Sequence, residues 1–458
     1  MNMNIKEKLE RIEPFLETLD YPAIAAVLAP SAPVDIGELL SELEDDVVIH
    51  VLKYMPADIT GEVLTHLDPD LAHEIIRTLG EDRGSAILDT MYIDDVVDII
   101  EELEPEEQEE ILEMMEAEDA EEVRELMDYP EGSAGSIMTT EFVAMNENTT
   151  AEEAINLLRK HAPSAETVYY IYVVDDEEVL VGVLSLRELI ITPPNWTVGH
   201  IMHTHIKTVG DYMDQEEVAS LVSRYDIMAV PVVDDDFHIV GIVTVDDILD
   251  VIEEETTEDV LRMAGSHEDE MDEDDGFGMK IVKAVKARFP WLLLTLFGGF
   301  VSGIIMDNIE EDLATVVALA YFIPLLMGLG GNVGTQSSTV TVRGISLGQV
   351  DSSRIFINVL RESCIGMIVG LGCAVVLCVV SYVWLGSFAL SILVGITLLC
   401  NMFISAFVGT FVPLTLKRAG VDPAVASAPF ISTAIDILGL LIYAILAGVF
   451  MPLLITSL

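Results

Sequence analysis

A single aspartate stands inside the last apolar run of the chain, Asp436 in ISTAIDILGLLIYAI. A charge at mid-membrane costs about 2.5–3.5 kcal/mol on insertion scales, so this carboxylate is expected to face a pore or a partner rather than lipid. No Lys or Arg within the run can pair with it. Two readings follow: a protonated Asp bonded to a neighbouring helix, or a cation site. Ser432 and Thr433 share its helical face, at i, i+1 and i+4. Asp422-Pro423 opens the short stretch, closed by Pro429, that leads into the run. An earlier apolar run ends in PLLMGLGGNVGTQ, residues 324–336. Its glycines and proline let backbones approach closely and can free carbonyls to line a cavity, and Asn332 and Gln336 add side-chain oxygens. Oxygen ligands with one or two carboxylates suit a hard cation. Magnesium sheds water reluctantly, so a pore would grip its hydrated form from a few points.

These residues need membrane helices to hold them. A span takes about 20 apolar residues, and five runs qualify, near 290–308, 314–334, 355–384, 387–415 and 430–456. Lys280, Lys283, Lys286 and Arg288 precede the first, Arg343, Arg354 and Arg361 follow the second, and Lys417 and Arg418 follow the fourth. The opposite connections carry Asp307, Glu310, Glu311 and Asp312, or almost no charge. The basic clusters therefore fall on one side, which places the rest of the chain in the cytoplasm and the C-terminus outside. The opening MNMNIKEKLERIEPF lacks the apolar core of a secretory leader.

The rest of the chain is of a different composition. Of 458 residues, 79 are acidic and 22 basic, a formal charge of −57, and residues 284–458 hold only 8 of the acids and 7 of the bases. The first 283 residues thus carry a net charge of −56. Such a surface repels nucleic acid and concentrates cations. Cys364, Cys373, Cys378 and Cys400 all lie in the apolar half without ligand spacing, as buried structural thiols do.

Residues 137–194 and 200–252 read as two copies of one unit. Ile137-Met138, Tyr170 to Asp175 and Val181-Gly182-Val-Leu-Ser185 in the first answer to Ile201-Met202, Val230 to Asp234 and Val240-Gly241-Ile-Val-Thr244 in the second. Each is a helix, a β-rich stretch ending in Gly-x-x-[Ser/Thr], and another helix. The pair resembles a tandem CBS module, which implies a regulatory role, often for adenine nucleotides. By that resemblance Tyr170 would stack on a base while Arg187 and Glu188 reach phosphate and ribose; the alternative is an unliganded scaffold. Residues 1–130 show apolar positions at i, i+3 and i+4 in short segments, which predicts stacked helix pairs in a small superhelix.

Acid runs recur at Asp94, Asp95 and Asp98, at Glu216 and Asp226, at Asp246, Asp247 and Asp250, and at Glu255, Glu258 and Asp259. Two carboxylates 4 Å apart repel by about 4 kcal/mol at an effective dielectric of 20, so such faces need bridging cations or stay apart. The acid excess as a whole also fits a solvated surface in a salty cytoplasm, given only nine lysines. His200, His203 and His205 would alternate in direction on a strand. The run His267 to Asp275 is broken by Met271 out of EF-hand register, which predicts a solvated linker.

Together these elements resemble the MgtE family of magnesium channels and transporters. The most specific matches are Gly331-Asn332-x-Gly334-x-Gln336, Asp422-Pro-Ala through Asp436-x-x-Gly439, and Val245-Asp246-Asp247-Ile-Leu-Asp250 running into Glu255-Thr-Thr-Glu258-Asp259. The resemblance implies a helical N-domain over 1–132, CBS repeats over 133–199 and 200–255, an acidic linker with a connecting (plug) helix over 256–289, and a five-helix pore domain over 290–458. It implies a multi-pass homodimer of the cell membrane, embedded in lipid, with Asp436 holding hydrated Mg2+ beside Asn332 and a backbone carbonyl near Ser432. Asp422 would lie at the cytoplasmic mouth, near the connecting helix. Ala428 departs from members that carry an amide there. The implied mechanism is a gate: cytosolic Mg2+ bridges the acidic clusters and the connecting helix then blocks the pore, with ATP a possible second ligand at the CBS pair. A CBS-containing membrane sensor without transport is the alternative. A membrane enzyme is weakest, since no Ser/His/Asp arrangement, Lys-bearing phosphate loop or His pair within the spans is found.

Overall fold

A computed structural model describes residues 3–101, 103–161, 165, 167–267, 277–350 and 354–457; most of the acidic run from His267 to Asp275 falls outside the described residues. The chain divides into two compact units, Met1–Val251 and Ile252–Leu458.

The first unit begins with ten helices among the described residues, from Met3–Leu16 to Ala117–Met127. Most are two turns long, and Pro22, Pro33, Pro69 and Pro105 each sit in a first turn, where the missing N–H costs nothing. Each buries one apolar face; Ile93, Val96, Val97, Ile99 and Ile100 do so on the helix Ile93–Glu101. Segments this short are marginal alone. They gain stability from one continuous core that runs from Ile12 through Val123 to Val230, Val243 and Val251.

Two three-stranded sheets follow, with the same topology. Strands β1 (Ala144–Asn146), β2 (Tyr170–Val174) and β3 (Leu180–Ser185) pair in that order, β1 parallel to β2 and β2 antiparallel to β3. Strands β4 (Val209–Gly210), β5 (Ala229–Val233) and β6 (Ile239–Thr244) repeat the arrangement, down to a register irregularity at Val173/Val174 and at Val232/Val233. The repeats exchange their leading segments. Thr139 pairs with Ile242 on β6, and His203 with Val183 on β3. The two glycines of the repeated signature make this possible: a Cβ on Gly182 would lie 2.8 Å from Met202 Cβ, and one on Gly241 would lie 2.8 Å from Met138 Cγ.

Among the described residues, five helices of the second unit are long and apolar enough to cross a membrane. They run Phe277–Asp307, Ile323–Ser346 (entered through a 3-10 turn, Val317–Phe322), Ile355–Leu385, Phe388–Arg418 and Ala428–Ser457. The first is continuous through Pro290, so the segment 277–289 and the first span are one rod. The second remains helical through 324–336 and on to Ser346. Gly330 and Gly334 therefore serve close approach rather than unwinding: a methyl group on Gly334 would overlap Ile435 of the fifth helix. The helix Val245–Ala264 begins at the end of β6 and continues past the 255/256 boundary read from sequence.

Candidate cation sites in the membrane helices and the acidic body

In the membrane unit the second and fifth helices meet where the sequence reading placed the cargo. A Cβ on Gly331 would sit 3.7 Å from Ser432 Cβ. Neighbouring Asn332 is exposed and Asp436, one turn beyond Ser432, is half-buried, so both keep an open side in the single chain. Thr433 turns the other way. It is buried, its hydroxyl donates to the Pro429 carbonyl at 2.7 Å, and it lies 3.4 Å from Thr295 Oγ1 of the first helix. Ser432 Oγ donates to the same carbonyl at 3.2 Å. This edge offers a carboxylate, an amide and a hydroxyl, with the exposed Gln336 one turn beyond Asn332, the few grips a hydrated cation needs.

Asp422 is engaged at the end of the fourth helix. Oδ1 accepts from Ala424 N at 2.7 Å, capping the turn Pro423–Val425, and Oδ2 accepts from Arg262 Nη1 at 2.7 Å. Arg262 also pairs with Glu258. One turn back, Asp259 accepts from Ser346 Oγ at 2.8 Å, and Thr256 Oγ1 accepts from Arg343 Nη1 at 3.4 Å. Burial and then the charge of Asp422 raise the Asp259 carboxyl, against the bond from Ser346. The last turns of Val245–Ala264 are thus latched to the end of the second helix and to the Asp422 turn. Glu255 is half-buried on the same stretch.

The acidic cluster of the first unit forms on the face of Ile93–Glu101 that its apolar residues leave outward. Burial raises Asp94 to about 6, helped by Asp95, while Thr139 bonds to it. Asp95 reaches about 6 through burial and the charges of Asp247, Asp246 and Glu62. Asp98 keeps solvent at its edge, yet loss of water around it and the charges of Asp94, Asp95 and Asp247 lift it to about 7. Asp247 rises to about 6 through burial and Asp94, opposed by Thr244, whose Oγ1 lies 2.6 Å from its Oδ2 and 2.5 Å from Asp246 Oδ1. The sequence reading missed Glu141, which burial and Asp94 lift to about 7. Among the described residues Asp94 Oδ1 and Glu141 Oε2 are buried with no hydrogen-bond partner. A lone Glu in TTEFVAMN carries no local signal; Thr139 brings it there by pairing with Ile242.

Other residues stay apart within the chain. Glu216 lies at the start of the helix Gln215–Tyr225 and Asp226 is its left-handed C-cap, φ 52°, so the helix length of about 15 Å separates them. Asp250 is exposed, a turn beyond Asp246. Tyr170, Arg187 and Glu188 gather at one end of the first sheet, since Tyr170 pairs with Ser185 at the start of the helix Leu186–Ile191. Glu188 is held below its ordinary range by Ser185 and His203; it closes a capping box with Ser185, and its Oε1 meets His203 Nε2 at 2.7 Å. The same contact separates His203 from His200, whose Nδ1 pairs with Thr197.

Sequence and structure comparisons cover most of the chain. The family model described as a divalent cation transporter matches residues 323–446, the MgtE intracellular N domain matches 31–132, and the CBS domain matches 134–192 and 198–254. The magnesium transporter MgtE of Bacillus subtilis is 37% identical over 323 residues, 70% of each chain. That of Thermus thermophilus is 37% identical over 318 residues, 69% of each. Among solved structures, the cytosolic domain of the Mg2+ channel MgtE in complex with ATP superposes with a TM-score of 0.50 at 40% identity, covering 52% of this chain and 98% of that one. The soluble part of a magnesium transporter gives 0.50 at 32% identity, covering 55% and 99%.

Proposed function

The chain belongs to the MgtE family of magnesium transporters, and from that premise we propose that it conducts Mg2+ into the cell past Asp436 and closes when cytosolic Mg2+ fills its acidic clusters. The observation that carries the transport reading is the edge formed by Gly331-Asn332 and Ser432–Asp436, where two membrane helices touch and leave a carboxylate and an amide on an open side. A second copy of the chain facing that edge completes a pore, which makes the functional form a homodimer. The cargo passes without covalent chemistry, so the protein is a channel or carrier and not an enzyme. The basic residues flanking the helices support cytoplasmic N-terminal domains and an external C-terminus.

The gate is carried by one helix. Val245–Ala264 holds Asp246 and Asp247 in its first turn and Asp259 and Arg262 near its end, about 18–24 Å further along the helix. Without divalent ions the carboxylates of Asp94, Asp95, Asp98, Glu141 and Asp247 repel one another. Mg2+ removes that repulsion and favours the state in which the helix end holds Ser346 and Asp422. A ligand shifts a gate only by its differential affinity for the two states, so several weak sites acting together make the shift steep. Glu216, Asp226, Asp250, Glu255 and Glu258 complete the cation-binding set, and Glu216 and Asp226 act with groups outside their own helix. ATP at Tyr170, Arg187 and Glu188 tunes the same unit, a reading supported by the ATP complex of the homologous cytosolic domain.

Mg2+ influx into liposomes with no internal Mg2+ tests the reading. Asp436→Asn is expected to lower flux about a hundredfold, the equivalent of about 2.7 kcal/mol. Wild-type flux in that variant would remove Asp436 from the path. No flux in either protein would favour a sensor that conducts nothing.

A further inference from the structure

Behind the proposed pore edge lies a buried amide. Asn401 is midway along the fourth helix, 1% exposed. Its Nδ2 donates to the Leu326 carbonyl of the second helix at 2.6 Å, and its Oδ1 is enclosed with no hydrogen-bond partner among the described residues. The amide is wedged between two glycines. A Cβ on Gly330 would lie 2.6 Å from Nδ2, and one on Gly439 would lie 2.7 Å from Oδ1. Gly330 precedes Asn332 by two residues and Gly439 follows Asp436 by three. One side chain therefore bears on both helices that carry the pore groups.

Packing alone does not account for an amide here. An enclosed oxygen without a donor is unfavourable, and an apolar side chain of like volume would avoid that cost. What the amide adds is the bond to Leu326. In a regular helix that carbonyl accepts from Gly330 N, so Asn401 as a second donor ties this turn to the fourth helix while its other edge stops Gly439.

We infer that Asn401 is a positioning residue for permeation: held by the Leu326 carbonyl and seated between Gly330 and Gly439, it fixes the separation of the second and fifth helices at Asn332 and Asp436, and so the grip on the hydrated cation. This rests on the reading of Asp436 and Asn332 as pore groups.

The test is Mg2+ and Ca2+ influx into liposomes by full-length protein, with rates normalised to the monodisperse folded fraction. The variants are Asn401→Leu, which removes the donor, Gly439→Ala, which keeps the donor and displaces the amide, and Asp436→Asn for reference. Displacing groups that hold a hydrated cation changes its affinity and the discrimination between cations of different size. Both Asn401→Leu and Gly439→Ala are therefore expected to raise the KM for Mg2+ by about fivefold and to raise the Ca2+-to-Mg2+ flux ratio, with Vmax per folded protein changed by less than about twofold. Wild-type KM and flux ratio in folded Asn401→Leu overturn the inference; should that variant not fold, the same wild-type values in Gly439→Ala overturn it. Wild-type flux in Asp436→Asn would instead fault the pore reading itself. Loss of flux at Asp436 with wild-type behaviour at Asn401 and Gly439 faults the positioning role alone.

Discussion

The acidic body and the membrane helices treat carboxylates in opposite ways. The first unit crowds Asp94, Asp95, Asp98, Glu141 and Asp247 together until burial and mutual charge hold several near neutral pH. The membrane unit keeps Asp436 apart from other charges in an apolar helix, one turn beyond Ser432. In the proposed function this crowding makes the responsive element, because each added cation would relieve repulsion among many groups. The proposed function makes the isolated Asp436 the conducting group, because one carboxylate can attract a hydrated ion without trapping it. On that proposal the same residue type does two kinds of work, decided by its neighbours.

The comparison breaks first at Asp436. If isolation is what conducts, Asp436→Asn loses about two orders of magnitude of flux, while the dependence of the remaining flux on cytosolic Mg2+ keeps its midpoint. Next in size is the joint replacement Asp94→Asn, Asp98→Asn, Asp247→Asn. It should leave maximal flux intact and raise the Mg2+ concentration needed for closure by about tenfold or more, the scale of an allosteric coupling of 1–3 kcal/mol. A calorimetric scan of the same protein should lose most of its Mg2+-dependent rise in Tm.

The pH dependence sharpens the contrast further. Carboxyls raised in the folded protein contribute stability that is present below the ordinary carboxylate range and is lost as pH climbs through about 6 to 7. The charges opposing them are Glu62, Glu101, Asp119, Glu122 and Asp246. Without divalent ions, Tm should fall between pH 5.5 and 7.5, and Mg2+ should restore it at pH 7.5 while adding little at pH 5.5. A Tm that is flat with pH in the absence of Mg2+ would show that the cluster stores no repulsion. The smallest effect belongs to the latch. Arg262→Ala removes a partly exposed ion pair to Asp422, of the class worth about 0.2–1 kcal/mol, so closure by Mg2+ should weaken by less than about fivefold.

What the sequence discloses follows the same division. Asp436 and Asn332 are legible because any polar group in an apolar run stands out, and the tandem repeat is legible because its strands and glycines recur in order. The exchange of Met138 and Met202 between the repeats is hidden, since only the fold shows which glycine each methionine covers. Glu141 is hidden for the same reason. Asn401 stands out no less than Asn332 in composition, but without the second and fifth helices beside it CNMFISAF shows only a tolerated amide. Gly-rich 324–336 is ambiguous in sequence between close approach and unwinding; packing against Ile435 and Asn401 decides for close approach.

The central claim is that conduction and sensing reside in separate carboxylate sets. It is tested most directly by recording Mg2+ flux against cytosolic-side Mg2+ for wild type, Asp436→Asn and the Asp94/Asp98/Asp247 triple variant in one preparation. The account predicts that Asp436→Asn lowers the amplitude without moving the midpoint, and that the triple variant moves the midpoint without lowering the amplitude. A triple variant that closes at the wild-type Mg2+ concentration, or an Asp436→Asn protein with full amplitude, would contradict it.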